Sequence, residues 1–394
     1  MVIGFSAIML FTGKNLSNVG VEALDNSLSY YENTQRYAIA VAAANIVCSK
    51  IWETPSFSTS YTDVNYNGGT FSTTVTNLGS GMIRIDAVGS YGGKSQSVTI
   101  TMKPSSFSKF AYYGGTSASA AAWETGDTIG GPSHTQGKLK TYGSPVFMGK
   151  STAKTGITMT GSPKNPQFFG GFESGVDIPM PDNTNYNNIL TAASSGGYMQ
   201  TGGNLYVKFN SDGTVSWKTS SSASYTTVSL SYFAPNGVIA IDKGALFIEG
   251  TLDGRVTVAS LRSGGSSGGT TTILNSLVMK DDPRANSLSN DLLGIVSYSD
   301  ITVANNSATQ FDIQASMYSY QGGLAVEHGT SRPAGNLSVH GGMIVERLYA
   351  TSNGASGSSR KGYNLILRFD ERMYNDSPDF FPTTGKYEIL SWFE

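Results

Sequence analysis

Histidine and carboxylate side chains are the residues of this chain that could bind a metal ion or carry acid–base chemistry, and they are widely spaced. The three histidines lie in the contexts GPSHTQG, VEHGT and SVHGG (His134, His328 and His340). They lack the short-range spacing of zinc ligands, although two histidines on neighbouring turns of chain stay open as an alternative. No GxSxG motif marks a nucleophilic serine. The sequence therefore predicts no catalytic residue and no enzyme activity.

The carboxylates are a second set of candidates, because solenoid enzymes that cleave polysaccharides gather carboxylates on one face. The clusters are Asp281–Asp282, Asp291, Asp300 and the pair Asp370–Glu371. Together with Asn290, the residues Asp281, Asp282 and Asp291 could hold calcium through oxygen ligands. A loop with a local ion pair to Arg284 is the simpler interpretation, and RFDER at 368–372 is predicted to form a structural charge network. We predict no cofactor.

Composition excludes several classes of partner. Lys and Arg number 26 against 28 Asp and Glu, the net charge is −2, and only 14% of residues are charged. No basic run is present, which argues against nucleic acid and against docking on anionic lipid. The single cysteine, Cys48, lies in the apolar run AIAVAAANIVCSKIW and is predicted to be a buried hydrophobic residue. The abundant glycine and hydroxyl side chains are typical of secreted β-proteins.

Residues 1–53 are predicted to form one long helix. They contain no proline to break it, and no charge occurs from Met1 to Phe11. Such a helix is roughly 75–80 Å long, more than one globular domain needs for its core. Spacings of three, four and seven predict one stripe, made of Val19, Ala23, Tyr30, Tyr37, Ala40, Ala44 and Val47. The second half, apolar nearly all round, is expected to be surrounded by protein.

The apolar tip of this helix is too short to span a membrane and lacks the basic region of a signal peptide. Either a leader precedes it or the tip is buried against other subunits. We expect the burial of the tip to use Ile3, Phe5, Ile8, Leu10 and Phe11. We expect Tyr30, Tyr37 and Ile39 to fix the helix against the rest of the chain or against other helices.

The remaining sequence predicts a mainly β protein. Clean alternation between 57 and 103 predicts an antiparallel meander within a domain at 54–106. Residues 107–180 and 244–394 contain short strands ended by Gly or Asn, which favours a β-solenoid-like head, with a β-sandwich as the alternative. Residues 181–243 are interpreted as an insertion of loops and a hairpin around SDGT.

The N-terminal segment GFSAIMLFTGKNLSNVGVEALDNSLSYYENTQRYAIAVAAANIVCSKIW resembles the corresponding region of PilX-type pilus-assembly proteins. GALFIEGTLDGRVTVAS and GYNLILRFDERMYNDSPDFFPTTGKYEILSW are similar to the secreted region that accompanies it. EGTLDGRVTVAS also resembles one turn of a bactofilin. The resemblance implies export by a type IV pilus-like machine and a place in or on an extracellular filament. It supplies no catalytic residue.

The sequence departs from the type IV pilin pattern in one respect. Pilins of that family usually have a glutamate at the fifth mature position, whereas the first acidic residue here is Glu22. The assembly chemistry that the family implies is therefore expected to differ in this chain.

Three functions follow as hypotheses. The first is a structural or adhesive filament subunit on the cell surface. Its partners are copies of itself (a helical homopolymer) or other pilins, and surface glycans are possible ligands. It contacts the membrane only before assembly. The second is a secreted solenoid enzyme acting on polysaccharide, which a groove with three or more carboxylates or a Lys/Arg pair would support. The third is a non-polymeric surface or secretion component that uses the helix as a membrane anchor.

Overall fold

A computed structural model describes residues 2–79, 81–180, 184–265, 267–306, 308–353 and 359–394. Within these ranges the side chains of residues 2–5, 7, 8, 119, 120, 184 and 185 are outside the description. The chain divides into two compact units. Unit 1 comprises Met1–Ser105 with Gly385–Glu394, and unit 2 comprises Ser106–Thr384.

The helices and strands confirm a mainly β protein with one long N-terminal helix. The helices are α1 (Val2–Glu53), α2 (Thr184–Gly196) and α3 (Leu230–Phe233). The first strands are β1 (Tyr61–Tyr66), β2 (Gly69–Gly79), β3 (Met82–Tyr91) and β4 (Lys94–Ser106). The next are β5 (Tyr112–Gly114), β6 (Trp123–Glu124), β7 (Thr128–Gly130), β8 (Ser133–Thr135), β9 (Leu139–Tyr142), β10 (Val146–Phe147), β11 (Ser151–Ala153), β12 (Ile157–Thr160), β13 (Gln167–Phe168) and β14 (Phe172–Ser174).

The second half of the chain continues with strands of three to eleven residues. They are β15 (Tyr198–Thr201), β16 (Asn204–Phe209), β17 (Thr214–Lys218), β18 (Thr226–Ser229), β19 (Val238–Asp242), β20 (Ala245–Leu252), β21 (Arg255–Leu261) and β22 (Thr270–Met279). The last are β23 (Leu292–Ser297), β24 (Ile301–Val303), β25 (Gln310–Ser319), β26 (Leu324–Val326), β27 (Gly335–Val345), β28 (Tyr363–Arg368) and β29 (Thr383–Phe393).

Unit 1 contains an antiparallel meander, as predicted, with one strand that the sequence analysis assigned elsewhere. Strands β1 to β4 pair antiparallel in chain order. Strand β29 lies next to β4 in the same sheet. Residues 385–394 were predicted to belong to the head, and this assignment was wrong because the end of the chain returns to pair with the meander.

The second half of α1 packs on this sheet. Alternate residues of β3 and β4 point to the helix, so Ile85, Ala87 and Ile100 are fully buried. Gly89 allows the closest approach, since a Cβ at this position would lie 2.3 Å from the carbonyl oxygen of Arg36 and 2.5 Å from the backbone nitrogen of Ala40. The helix and sheet backbones therefore meet at a position where any side chain would force them apart.

Unit 2 is built mainly from parallel strands that stack on one another in ladders. One ladder runs β15-β19-β21-β23-β25-β27-β5-β8-β11-β14. A second runs β16-β20-β22-β24-β26, and a third continues from β22 through β25, β27, β28, β7, β10 and β13. Strands β6, β9 and β12 form a short fourth ladder.

In-register stacking gives unit 2 its core. Ile239, Val258, Ile295, Met317 and Met343 occupy successive positions of one ladder and are all buried. Each coil thus places an apolar side chain over the one below it. The coil that starts the unit, with β5, stacks on β27 from the end of the chain, so spatial order and chain order differ.

The segment 181–243 was predicted to be an insertion, and the structure differs. The hairpin around SDGT is present, with β16 and β17 antiparallel. However, β15 and β16 also pair in parallel with β19 and β20, so the segment is a coil of the stack. It further contains α2, whose Tyr186, Ile189 and Ala193 are buried. The many Asn, Ser and Thr residues, typical of loops, concealed this helix.

Asp127 is a buried carboxylate in the turn before β7. Its Oδ2 accepts a hydrogen bond from the backbone nitrogen of Glu124 at 2.9 Å, and its Oδ1 accepts one from that of Leu365 at 3.0 Å. Burial outweighs these bonds and raises the pKa of Asp127 from 3.8 to about 6. The protonated form is therefore favoured in the folded protein only below about pH 6.

The close approach at Gly89 predicts a stability change. Gly89→Ala should lower the free energy of unfolding of unit 1 by about 1–3 kcal/mol, because the added methyl group overpacks the helix–sheet contact. Thermal unfolding followed by circular dichroism measures this change. Gly20→Ala is the control, since a Cβ there meets nothing within 4 Å and alanine favours helix. Equal stability of Gly89→Ala and the wild type would contradict the packing described.

Asp127 predicts a pH dependence. Because the pKa of Asp127 is raised on folding, its contribution to the free energy of unfolding is fully present below pH 4. This contribution falls by up to about 3 kcal/mol as pH rises to about 6. Asp127→Asn should have a lower free energy of unfolding overall, but that energy should not show this fall with pH. Denaturant unfolding of the wild type and of the variant between pH 4 and 7 measures the two pH profiles. Parallel pH profiles would show that Asp127 is not the cause.

Candidate functional site: the two sides of the N-terminal helix

The first half of α1 exposes apolar side chains along its length. Leu16 is 77% exposed, Leu24 is 71% exposed and Tyr30 is 76% exposed. Other large exposed residues of this half are Met9, Leu10, Phe11, Val19, Val21, Leu28 and Tyr31. Isolated apolar side chains on a surface are ordinary, but a contiguous set of this size marks an interaction surface.

These side chains lie mainly on one side of the helix. At 3.6 residues per turn, an apolar face covers roughly 200° of the circumference. The apolar face consists of Met9, Leu10, Leu16, Val19, Val21, Leu24, Leu28, Tyr30 and Tyr31, together with small or hydroxyl residues. Phe11 lies outside it. No charged residue falls on this face between residues 9 and 52.

The remaining side of the first half is a polar stripe. It consists of Lys14, Asn15, Asn18, Glu22, Asp25, Asn26, Ser29, Glu32, Asn33 and Arg36, at repeated spacings of three and four. The stripe continues into the side of α1 that packs on the sheet, where Ile39, Ala43 and Val47 are buried. The sheet and the polar stripe therefore share one side of the helix, and the apolar face lies opposite.

The side opposite the sheet stays uncharged in the second half. Ala38 and Trp52 are exposed, and Val41, Ala42 and Ile46 are partly buried. Within unit 1 the sheet covers only one side of this half, and the prediction that it is surrounded by protein on every side stays a prediction. The apolar face therefore runs from Met9 to Trp52 along a single helix.

Arg36 marks the point where the helix reaches the sheet. Its Nε donates a hydrogen bond to the carbonyl oxygen of Tyr91 at 2.9 Å. Its Nη2 forms an ion pair with Glu32 at 2.5 Å, and its Nη1 donates to the Oδ1 of Asn33 at 2.5 Å. A buried guanidinium with these partners ties the end of β3 to the polar stripe.

The residues predicted for assembly fall into different environments. The side chains of Ile3, Phe5 and Ile8 lie outside the described residues, although their backbone is part of α1. Leu10 and Tyr30 are on the exposed apolar face, whereas Phe11 is exposed on the other side. Two further residues lie within unit 1: Ile39 is fully buried against the sheet, and Tyr37 donates a hydrogen bond to Glu394.

The predicted stripe from Val19 to Val47 extends beyond the part of α1 that the sheet covers. Ala40, Ala44 and Val47 are buried against the sheet, whereas Val19 and Tyr30 are exposed. An α-helix drifts by about 20° per heptad, so the stripe turns by about 80° over four heptads and stays within roughly one third of the circumference. Cys48 is buried, as predicted, and burial raises the pKa of its thiol to about 11.

The calcium candidates are close together, but their oxygens have protein partners. Asp282 forms an ion pair with Arg284 at 2.5 Å, which lowers the pKa of Asp282 to about 2. Asp291 accepts hydrogen bonds from the backbone nitrogens of Gly254 and Asp281. Asp281 accepts one from Asn286. Across the described ranges, no group of three or more His, Cys, Asp or Glu side chains is arranged to hold a metal ion.

Asp370 and Arg372 of the RFDER segment form a structural charge network, as predicted, whereas Arg368 takes no part in it. Arg372 pairs with Asp370 at 2.6 Å and donates to the carbonyl oxygens of Ser289 and Asp291. Of the histidines, His134 is buried between Thr152 and Gln136, and His340 lines a groove of unit 2. His134 thus has a packing role.

Comparisons with known proteins add little to this description. In the part of the chain that the structure describes, no helix combines the length and apolarity needed to cross a membrane. No family model and no curated protein matches the sequence, so the resemblance to PilX-type proteins stays a prediction. One solved structure, the competence-associated pilin ComZ from Thermus thermophilus, is 13% identical, with 91% of this chain and 96% of that chain covered and a TM-score of 0.37. A likeness of this degree shows neither a family nor a function.

Proposed function

We propose that this protein is a structural subunit of an extracellular type IV pilus-like filament, in which the apolar face of α1 packs against other copies of the helix. The observation that carries the proposal is the side on which the apolar face lies. Unit 1 already covers one side of α1 with its sheet, and the uncovered side is the one without charge.

The width of the apolar face favours a bundle over a single partner. A helix in a two-stranded contact needs only a narrow apolar seam, whereas a helix that is apolar over more than half its circumference is suited to several neighbours. Burial of this surface contributes about 25 cal/mol per Å². Copies of the same helix supply the complementary surface, because each copy presents the same long apolar face.

Two glycines of α1 also support contacts between this helix and another chain. Gly13 and Gly20 lie within the helix and on the side of the apolar face. Each costs about 1 kcal/mol relative to alanine. A Cβ at either position meets nothing within 4 Å, so packing within this chain gives no reason for glycine. Close approach of a neighbouring helix would supply one.

The proposal predicts opposite results for two variants that add the same charge. Leu24→Asp places a carboxylate on the apolar face and should abolish filaments, because an unpaired charge would be buried between helices. Asn26→Asp places it on the polar stripe and should leave assembly intact. The number and length of filaments in native material are measured by negative-stain electron microscopy. Circular dichroism should show that both variants keep the fold.

Two outcomes would contradict the proposal. Filaments of normal length from Leu24→Asp would show that the apolar face is not buried on assembly. Loss of filaments in both variants to the same extent would show that the two sides of the helix do not differ. Single particles bound to vesicles in place of filaments would favour a membrane anchor.

A further inference from the structure

The outward side of three neighbouring strands of unit 2 carries a grid of polar side chains. Strands β25, β27 and β28 pair in parallel, and alternate residues point inward to the core. In register on the outward side are three rows: Gln310 beside Asn336, Asp312 beside Ser338 and Ile366, and Gln314 beside His340 and Arg368. Backbone hydrogen bonds hold these positions at a strand spacing of about 4.8 Å.

The grid forms the floor of a groove with a volume of about 350 Å³. Arg284, from the loop between β22 and β23, lines the groove as well. Its guanidinium is held by Asp282 through contacts of 2.9 Å from Nε and 2.5 Å from Nη2. The volume falls within the range of small-ligand pockets, although the lining is more polar than in most of them.

Three groups in the groove have unused binding capacity. Arg368 is exposed, and no ion pair or hydrogen bond to its guanidinium occurs within the described ranges. The Nδ1 of His340 and the Nε2 of Gln314 have no hydrogen-bond partner among the residues that the structure describes. Burial lowers the pKa of His340, so its ring is neutral near pH 7. By contrast, Gln310 donates to Asp312 at 2.9 Å and to Ser338 at 3.1 Å.

The chemistry of this lining selects a ligand class. Amide, hydroxyl and carboxylate groups side by side offer both donors and acceptors, which match the hydroxyl groups of a sugar. One unpaired arginine matches one carboxylate, since its guanidinium binds carboxylates in a bidentate manner. A nucleic acid would need several unpaired cations along its backbone. Arg284, the second arginine, already has Asp282 as its partner.

We propose that this groove binds an acidic carbohydrate, with Arg368 pairing with a uronic-acid carboxylate and the amide rows binding the sugar hydroxyls. Asp312 alone supplies a carboxylate to the lining, which suits binding better than cleavage. The carbohydrate site is a function beyond filament assembly. It rests on the proposed function only because the filament places the groove on a cell surface.

Titration of the full-length protein with uronic-acid tetrasaccharides tests this site. The probes are tetramers of galacturonate, glucuronate, mannuronate and guluronate, with a neutral glucose tetramer for comparison. Isothermal calorimetry should show saturable binding of at least one acidic tetramer that salt weakens, and much weaker binding of the neutral one. Arg368→Gln should weaken binding at least about tenfold, and Arg368→Lys should weaken it less.

Two further variants separate a built site from general charge effects. Ser338→Tyr fills the floor of the groove without changing charge and should also weaken binding. Arg347→Gln removes an exposed arginine of unit 2 that does not line the groove and should leave binding unchanged. The proposal is overturned if no acidic tetramer binds, if Arg347→Gln weakens binding as much as Arg368→Gln, or if Ser338→Tyr has no effect. Filament formation is read by microscopy, so failure of one proposal is distinguishable from failure of the other.

Discussion

The packing of α1 on the sheet of unit 1 determines which side of the helix is left uncovered. Gly89 brings the strand backbone against the helix between Arg36 and Ala40, and this contact fixes which side of the helix faces the sheet. The helix is continuous from Val2 to Glu53, so fixing one side at Gly89 fixes the direction of the side chains described along it. The apolar face is then directed away from the sheet by geometry alone.

This arrangement explains why a stable unit 1 and an exposed apolar surface coexist. The core of unit 1 uses Ile39, Ala43 and Val47 from one side of the helix, and the sheet satisfies that side completely. Arg36 ends the contact by bonding to Tyr91, Glu32 and Asn33, after which the same side becomes polar. The polar stripe therefore solvates the first half of α1. The free-energy cost of exposing the apolar face to water is removed only when a partner covers that face.

The sequence predicts the parts of this fold that depend on local patterns. The long helix lacks proline, and the meander alternates cleanly, so both are predicted near their observed bounds. Strand β29 was placed wrongly because pairing of residues 385–394 with β4 depends on contacts far apart in sequence. The direction of the apolar face was not predicted, because the side of α1 that the sheet covers is set by the contact at Gly89 and not by a local pattern.

The polar groove of unit 2 shows a second limit of sequence reasoning. Its residues come from three strands and one loop between 284 and 368, and no local motif joins them. Only the register of the parallel ladder places His340 beside Arg368. Alternation in FDIQAS and NLSVHG does indicate which residues point outward, but not which strands are neighbours. A groove of this kind is therefore predictable only after the order of the coils is known.

Accessibility of a single thiol on the apolar face shows whether this face is covered by other copies of the helix. In a Cys48→Ala background, Leu24→Cys places a small thiol on this face, and its rate of reaction with a maleimide is measured in native assemblies and in detergent-dispersed protein. We expect protection of at least about tenfold in the assemblies, and less protection for Asn26→Cys on the polar stripe. Equal reactivity of Leu24→Cys in both states would show that the apolar face stays exposed and that α1 does not mediate assembly.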